Sequence, residues 1–412
     1  MPTKNLKMAY ILGTFPQLTQ TFVNREITWV YKQNVDIHIF SLSQPKTIEI
    51  EEQSKHLISC VRYAPFFSGK ILKAQLYFLS HSPQKYLTAF FKTIWHNYHE
   101  PKILFQTLAI FPKSVYFAQQ IEALEIEHIH AHFITLAATA ARITSDLLGI
   151  SYSIHVHAVG LFKRNSHDVR RQLEHASRVV TISNYHRDYI AKLCPNINQN
   201  QIEVVYCSLE TDRFQAISKQ PSPKIHRILS VGRLIEKKGF KYLIDACAEI
   251  AKLGLLFQCD IVGEGPLKES LQARIEQYNL QNCINLLGSL KPEQVLKKYQ
   301  ESDIFVLACV VANDGNRDGL PVVLIEAMSC ELPVITTPVT GIVDLVEDQQ
   351  NGLLVKEKDT VSLAVAIERL IKDENLCKYL GTNARSKVLK DFQIQNNAAK
   401  LADIFRKIVT EV

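Results

Sequence analysis

DGNRDGLPVVLIEAMSC, residues 314–330, is a glycine- and charge-rich loop running through Leu320-Pro321 into an apolar segment with one carboxylate, Glu326. Pro321 suits the first turn of a helix, where its missing N–H has no partner to lose. Glycines at 315 and 319 let a backbone approach a ligand closely, and amides at a helix start favour an anion or an oxygen-rich ligand. A surface loop capping an ordinary buried helix would read the same way, so the neighbouring segments have to decide. Immediately upstream, Ile304-Phe-Val-Leu307 is a short apolar run that reads as a buried strand feeding the loop. Strand, loop and helix in this order are the unit of a parallel α/β sheet.

Working outward, the second half of the chain repeats that unit. Arg227–Val231 is a strand, Gly232-Arg-Leu-Ile-Glu-Lys-Lys-Gly239 its exit loop, and a helix follows to about Leu253. Phe257–Val262 is a strand followed by Gly263-Glu-Gly-Pro266 and a helix to Tyr278, and short strands are expected at 284–287, 333–336 and 352–355. The first half opens alike: a strand at Met8–Leu12 ending at Gly13, a loop at 15–21, a helix over 22–32 with Glu26 in its first turns, and a strand at Val35–Phe40. The loop at Gly13 lacks GxGxxG, which argues against a dinucleotide there. Residues 215–226 carry two prolines and no periodicity and read as a linker. The expected organisation is therefore an α/β chain of two Rossmann-like domains, residues 1–214 and 227–395, facing across a cleft.

Length and composition agree. A chain of 412 residues is long for one core, and 47% apolar with 21% charged residues is a globular balance. The net charge of +6 is too weak to point to nucleic acid. Nine scattered cysteines without a CxxC pair read as reduced thiols in a cytoplasmic protein. No run is apolar for the ~18–20 residues of a spanning helix, and Lys7–Thr14 is too short for a signal-peptide core.

Between Arg62 and Gln119 the composition shifts. Aromatics are dense (Phe66, Phe67, Tyr77, Phe78, Phe90, Phe91, Trp95, Phe105, Phe111 and Phe117 among them), and Glu100 is the only acid amid seven lysines and arginines. Such amphipathic segments can lie on an anionic membrane surface, or pack on the sheet with their lysines in water. Next, Glu127-His-Ile-His-Ala-His132 would place three histidines on one face of a strand. No carboxylate or cysteine nearby completes a ligand set, so no metal is assigned and a single functional histidine at the strand end is expected. In Tyr152-Ser-Ile-His-Val-His157, His157 lies at the carboxyl end of its strand, where α/β sites form.

The chemistry these residues can support is that of a nucleotide diphosphate site in the second half. Arg233 and Lys238 share the first βα loop, and Arg binds phosphate bidentately while Lys adds a point charge. Glycine loops at 263–265 and 339–341 converge on the same sheet edge, and Glu326 can accept hydrogen bonds from a ribose. The first half then supplies a histidine and the loop of Phe15, Pro16 and Thr21, with His132, for a second substrate.

These motifs together resemble the family 4 retaining glycosyltransferases of the GT-B fold: VGRLIEKKGF at 231–240, IVGEGPL at 261–267, DGLPVVLIEAMSCELPVI at 318–335 and TGIVDLVEDQQNGLLV at 340–355. FPQLTQTFVNREI at 15–27, IHAHF at 129–133 and SIHVHA at 153–158 are similar to the colanic acid and exopolysaccharide branch. The resemblance implies transfer of a hexosyl group from a nucleotide-diphosphate sugar, with no cofactor and no obligatory metal, to a glycan or lipid-linked glycan. It assigns Arg233 and Lys238 to the diphosphate, Glu326 to the ribose, Asp318 to the sugar hydroxyls and His157 to the transferring sugar. Gly232, Gly263 and the backbone amides around Gly319-Leu320 and Gly341-Ile342 would serve sugar and phosphate. It also implies that a terminal helix at 396–412 crosses back to the first domain. Asp318 stands where the family usually has Glu, Ser208-Leu-Glu210 replaces Gly-Val-Asp, Asp344 replaces Glu, and Gln20 replaces the acid common in the first loop. Two other readings share the fold: a nucleotide-sugar 2-epimerase, which needs an acid–base carboxylate pair and no acceptor, and a non-catalytic nucleotide-sugar binding protein.

Overall fold

The computed structural model describes residues 5–17, 20–47, 50–65, 68–162, 166–217 and 225–411. Leu18, Thr19, Phe66, Phe67, residues 218–224 of the expected linker and the terminal Val412 lie outside them. The backbone divides into two units. The first comprises Met1–Ile182, Arg187–Val205 and Asn397–Val412; the second comprises Ser183–His186 and Tyr206–Asn396.

In the first unit, seven strands form one parallel sheet: β1 Leu6–Thr14, β2 Val35–Ser43, β3 Val61–Tyr63, β4 His128–His132, β5 Tyr152–Val156, β6 Arg178–Thr181 and β7 Ile202–Val204. Their order is β3-β2-β1-β4-β5-β6-β7. The chain thus winds one way from β1 and then the other, and the reversal between β1 and β4 opens a crevice at the carboxyl ends of these strands. The first helix, α1 Thr21–Tyr31, follows β1. Three helices, α2 Gly69–His81, α3 Pro83–Asn97 and α4 Pro101–Ala123, separate β3 from β4, and α5 Leu136–Leu148 follows β4. Gly149 closes α5 in the left-handed region (φ 78°), with its N–H on the Ser145 carbonyl.

Period-two alternation divides β4 between two environments. Ile129 and Ala131 join the core under α4 and α5. His128, His130 and His132 face the other way and are fully buried. That side is covered by the helix Ile394–Thr410, whose Ala398, Leu401, Ala402, Ile404, Phe405 and Ile408 pack with Met8, Tyr10 and Leu12. The chain's last helix is therefore part of the first unit's core.

The second unit holds a six-stranded parallel sheet: β8 His226–Val231, β9 Phe257–Val262, β10 Ile284–Gly288, β11 Ile304–Leu307, β12 Val334–Thr336 and β13 Leu353–Leu354, in the order β10-β9-β8-β11-β12-β13. Its reversal falls between β8 and β11, so the loops at 232–239 and 308–319 share one sheet edge. The helix after the second loop is Val322–Ser329, and Pro321 is its cap rather than its first residue (φ −69°, ψ 114°). Among the described residues no helix is long and apolar enough to cross a membrane.

Candidate active site

The loop after β8 turns through a short 3₁₀ segment, Glu236–Lys238, and ends at Gly239 (φ 69°). A Cβ at Gly239 would fall 1.7 Å from the Ala308 carbonyl oxygen, so only glycine lets this loop lie against the one after β11. The two loops are further joined by the Val310 N–H on the Lys237 carbonyl (3.0 Å) and the Asn313 N–H on Glu236 Oε1 (3.3 Å).

This stitching brings three charged side chains together. Lys237 Nζ is 2.8 Å from Asp318 Oδ1 and Lys238 Nζ is 2.8 Å from Asp318 Oδ2, with the three side chains 15, 12 and 13% exposed. Burial alone would raise the Asp318 carboxyl, but Lys238 and then Lys237 outweigh it and hold it down at about 2. Burial would depress the Lys238 ammonium; Asp318 overrides this and raises it above the ordinary lysine value. The Cys309 thiol donates to Asp318 Oδ2 (3.7 Å) and is pushed up by burial and by that carboxylate, so it stays neutral. Arg233, in contrast, is exposed, with no ion pair among the described residues.

On the helix Val322–Ser329, the half-buried Glu326 has its Oε2 fixed by the Tyr299 hydroxyl (3.0 Å). The amides sort into two groups. Gly341 donates to the Gly319 carbonyl (2.9 Å), Ile342 to Val339 (3.2 Å), Gly232 to Val262 (2.9 Å) and Gly263 to Gly288 (2.8 Å). These amides are spent within the fold, which corrects the expectation that Gly341 and Ile342 offer theirs to a ligand. Gly263 has a structural reason of its own: a Cβ there would meet the Gly232 carbonyl oxygen at 1.9 Å. The amides of Gly319 and Leu320 have no backbone acceptor among the described residues and head the helix. Thr340 Oγ1 braces this turn against the Gly319 carbonyl (2.8 Å).

Asp344 accepts the Asn184 N–H (2.5 Å), its Nδ2 (3.0 Å) and the Tyr206 hydroxyl (3.4 Å), a polar knot within the second unit. Ser183 caps the helix Asn184–Leu193, its Oγ accepting the His186 N–H (3.1 Å).

In the first unit the expected second-substrate residues are mostly interior. Phe15 and Pro16 are buried, Phe15 among core side chains, and Thr21 is half-buried at the start of α1. His132 is fully buried and its Nε2 lies 2.9 Å from Glu26 Oε1, which removes it from a substrate-facing role. His155 Nδ1 lies 3.2 Å from Glu26 Oε2, an ionic-range contact without hydrogen-bond alignment. Glu26 thus supplies the carboxylate that the HxHxH spacing alone lacks. Burial pushes this carboxyl up, but His155 and His132 outweigh it and hold it well below the usual range. Burial also depresses His132, so at neutral pH the contact is a carboxylate accepting from a neutral imidazole and not a full ion pair. His157 caps the end of β5, only 4% exposed, its ring stacked on His155 (4.7 Å) and packed on Phe133 (4.8 Å) and Phe22 (5.1 Å).

Sequence comparison matches both units. Residues 20–213 match the model for Glycosyltransferase Family 4, and residues 212–387 match that for Glycosyl transferases group 1. The chain belongs to the family 4 glycosyltransferases. Among these, the amylovoran biosynthesis glycosyltransferase AmsK of Erwinia amylovora is 35% identical over 220 residues, 53% of each chain. Over nearly full length, 98% of this chain and 100% of the relative, it is 26% identical to a Salmonella typhimurium protein provisionally named as the colanic acid biosynthesis glycosyltransferase WcaL. The fold of this glycosyltransferase is shared with a Rickettsia africae glycosyltransferase structure (TM-score 0.73, 16% identity, 99% and 100% coverage). It is shared too with Anabaena HepE in complex with UDP and glucose (TM-score 0.70, 16% identity, 98% and 100% coverage).

Lys237, Tyr299, Thr340 and Glu26 were missed as contributors by reading the sequence. Lys237 had a signal, since it adjoins Lys238 in the EKKG loop. The others depend on contacts between segments 21 to 129 residues apart, which no local pattern encodes.

Proposed function

We propose that the chain is a retaining transferase moving a hexosyl group from a nucleotide-diphosphate sugar to a glycan or lipid-linked glycan in cell-surface polysaccharide assembly, in the cytoplasm at the inner membrane face. The observation that carries this is the charge arrangement at the β8–β11 reversal. Two ammonium groups share one carboxylate, leaving one positive charge of the trio uncompensated, and the exposed Arg233 guanidinium is on the same loop as the lysines. Both sit at the sheet edge where a diphosphate belongs in this class of fold. The names of the polysaccharide relatives and the UDP–glucose complex of HepE support the donor and acceptor classes.

In this reading Arg233 and Lys238 neutralise the diphosphate as it leaves, the free amides of Gly319 and Leu320 bind oxygens of the donor, and Glu326 receives the ribose. Preorganised cations aimed at a developing charge are worth several kcal/mol. Asp318 parks the two lysines until donor arrives. Asp318 and Glu326 are both engaged, so neither is assigned as a covalent nucleophile; attack comes from the face the diphosphate leaves, and the leaving phosphate takes the acceptor proton. His157 is assigned to the transferring sugar on the family resemblance alone. The positive charge is built in, so no metal is required at the diphosphate.

A hydrolysis and transfer screen across UDP-, GDP- and ADP-sugars tests the proposal. One donor class should turn over without added magnesium, with the anomeric configuration of the donor kept in the product, and Lys238→Ala should lower turnover more than tenfold. Release of an epimerised free sugar, or binding without any turnover, would replace the transferase reading.

A further inference from the structure

The reversal of the first unit's sheet, between β1 and β4, carries a second cluster that the transfer reaction does not use. Glu26 from α1, His130 and His132 from β4 and His155 from β5 each turn one ligand-type atom to a common point, and these four atoms lie within 4.8 Å of one another. His132 and His155 are register partners on adjacent strands, so the parallel ladder itself sets two of the donors side by side.

Among the described residues, the hydrogen bonds around the cluster leave ring nitrogens without partners. His132 Nε2 is committed to Glu26, and its buried Nδ1 has no partner. His130 Nδ1 is held by Ser153 Oγ (2.7 Å), and its buried Nε2 has none. His155 Nε2 is buried and likewise unpartnered. All three imidazoles are at most 1% exposed. A fold that buries polar atoms ordinarily satisfies them, and several such orphans within one cluster of ligand-type groups call for an ion or a water. Behind them, Ser151 and Ser153 bond both nitrogens of His128 (2.7 and 2.8 Å), so Ser153 bridges two histidines and fixes the His130 ring. Metal-bound histidines are typically held in this way through their second nitrogen.

We propose that Glu26, His130, His132 and His155 bind one divalent transition-metal ion of the zinc class. Three imidazoles and one carboxylate suit a borderline-soft ion and not magnesium or calcium. Four-coordinate bonds of about 2.1 Å place ligand atoms ~3.4 Å apart, so the four groups close inward by roughly an ångström on loading. With all four positions filled by protein, the ion has a structural role. It ties α1, β4 and β5 together two residues before His157 and beneath the C-terminal helix, where Phe405 packs on His130 (4.8 Å). The proposal is independent of the donor site in the second unit.

The test uses the full chain, stripped with a chelator and titrated with zinc and with cobalt(II). The expected result is one equivalent of metal per chain by elemental analysis, the visible absorption of four-coordinate cobalt with nitrogen and oxygen ligands, and a zinc-dependent rise in Tm of ~5 °C at a hundredfold excess over Kd. Glu26→Gln and His130→Gln, each checked for folding by circular dichroism, should lose the equivalent and the Tm response. Should either fail to fold, the cobalt spectrum of the unsubstituted protein still decides. Two outcomes overturn the proposal: no stoichiometric metal and no Tm shift, which would leave buried water as the partner of these nitrogens, or a thiolate charge-transfer band, which would move the metal to the cysteines.

Discussion

Asp318 holds two ammonium groups at 2.8 Å each, and its titration therefore links the donor loop to stability. Its folded value of about 2 lies below the ordinary 3.8. A depressed carboxyl contributes stability that is fully present above the unfolded value and is lost as pH falls from there through the folded one. The window is thus pH 4 to 2, and the size is about 2 kcal/mol. The raised Lys238 is the same interaction seen from its other partner and is not added to it. Asp318→Asn leaves two lysines without their anion, which costs about 3 kcal/mol at pH 7. Urea unfolding followed by circular dichroism should show the gap between this variant and the native chain narrowing below pH 4; a gap constant down to pH 2 would remove Asp318 as the anchor of the lysines. The residue types of this site were legible in the sequence because glycine-bounded loops and charges at fixed spacing mark strand ends. The pairing of Asp318 with both lysines was not, because it depends on how two loops 80 residues apart dock through Gly239.

Among the elements, α2, α3 and α4 show where composition stops being informative. Density of aromatics suggests either a packed layer or a membrane-facing one, and the structure sorts these side chains into an inward set and a solvent-exposed set. Ala74, Phe78, Ala89, Phe111, Val115 and Ala118 pack inward with Ile143 and Leu147 of α5. Phe91, Trp95 and Phe105 point outward, the last two 72 and 74% exposed, with Leu72, Leu76 and Leu87 also exposed. Leu87, Phe91, Ile94, Trp95 and Tyr98 line an apolar depression of about 690 Å³ on the face of α3. Exposed Lys70, Lys73, Lys85 and Lys102 lie on the same three helices. Apolar rings on basic helices are the composition of an interfacial surface, and each lysine near an anionic leaflet adds about 1 kcal/mol. A Phe91→Ser, Trp95→Ser, Phe105→Ser variant should lose flotation with anionic vesicles at least tenfold while keeping its helical circular dichroism. Equal flotation of both proteins, or none with the native chain, would confine this face to water or to a protein partner. Helix periodicity separates the two faces only once the direction of the core is known, and that direction comes from α5, which lies in sequence after all three.

At the scale of the molecule, the chain's last helix completes the core of its first unit. Strand periodicity, loop glycines and the change of direction in each sheet are local or repeated signals, so the two Rossmann-like halves could be read from the sequence. The place of the Ile394–Thr410 helix came from family resemblance, since an amphipathic face does not say what it covers. Its Phe405 is fully buried, edge-on to Tyr10 (6.1 Å) and packed on His130 (4.8 Å). Truncating a buried phenylalanine costs about 3–5 kcal/mol. The penalty from Phe405→Ala should fall on the first unit even though the residue is 200 positions beyond that unit's last strand. The two tryptophans, Trp29 and Trp95, both belong to the first unit, so their fluorescence reports its unfolding selectively, while far-ultraviolet circular dichroism reports both units. In Phe405→Ala the fluorescence midpoint in urea should drop, and the dichroism curve should split into an early phase that coincides with it and a later phase at the native midpoint. If the fluorescence midpoint is unchanged, the helix is not part of the first unit's cooperative core. If both phases shift together, the two units unfold as one.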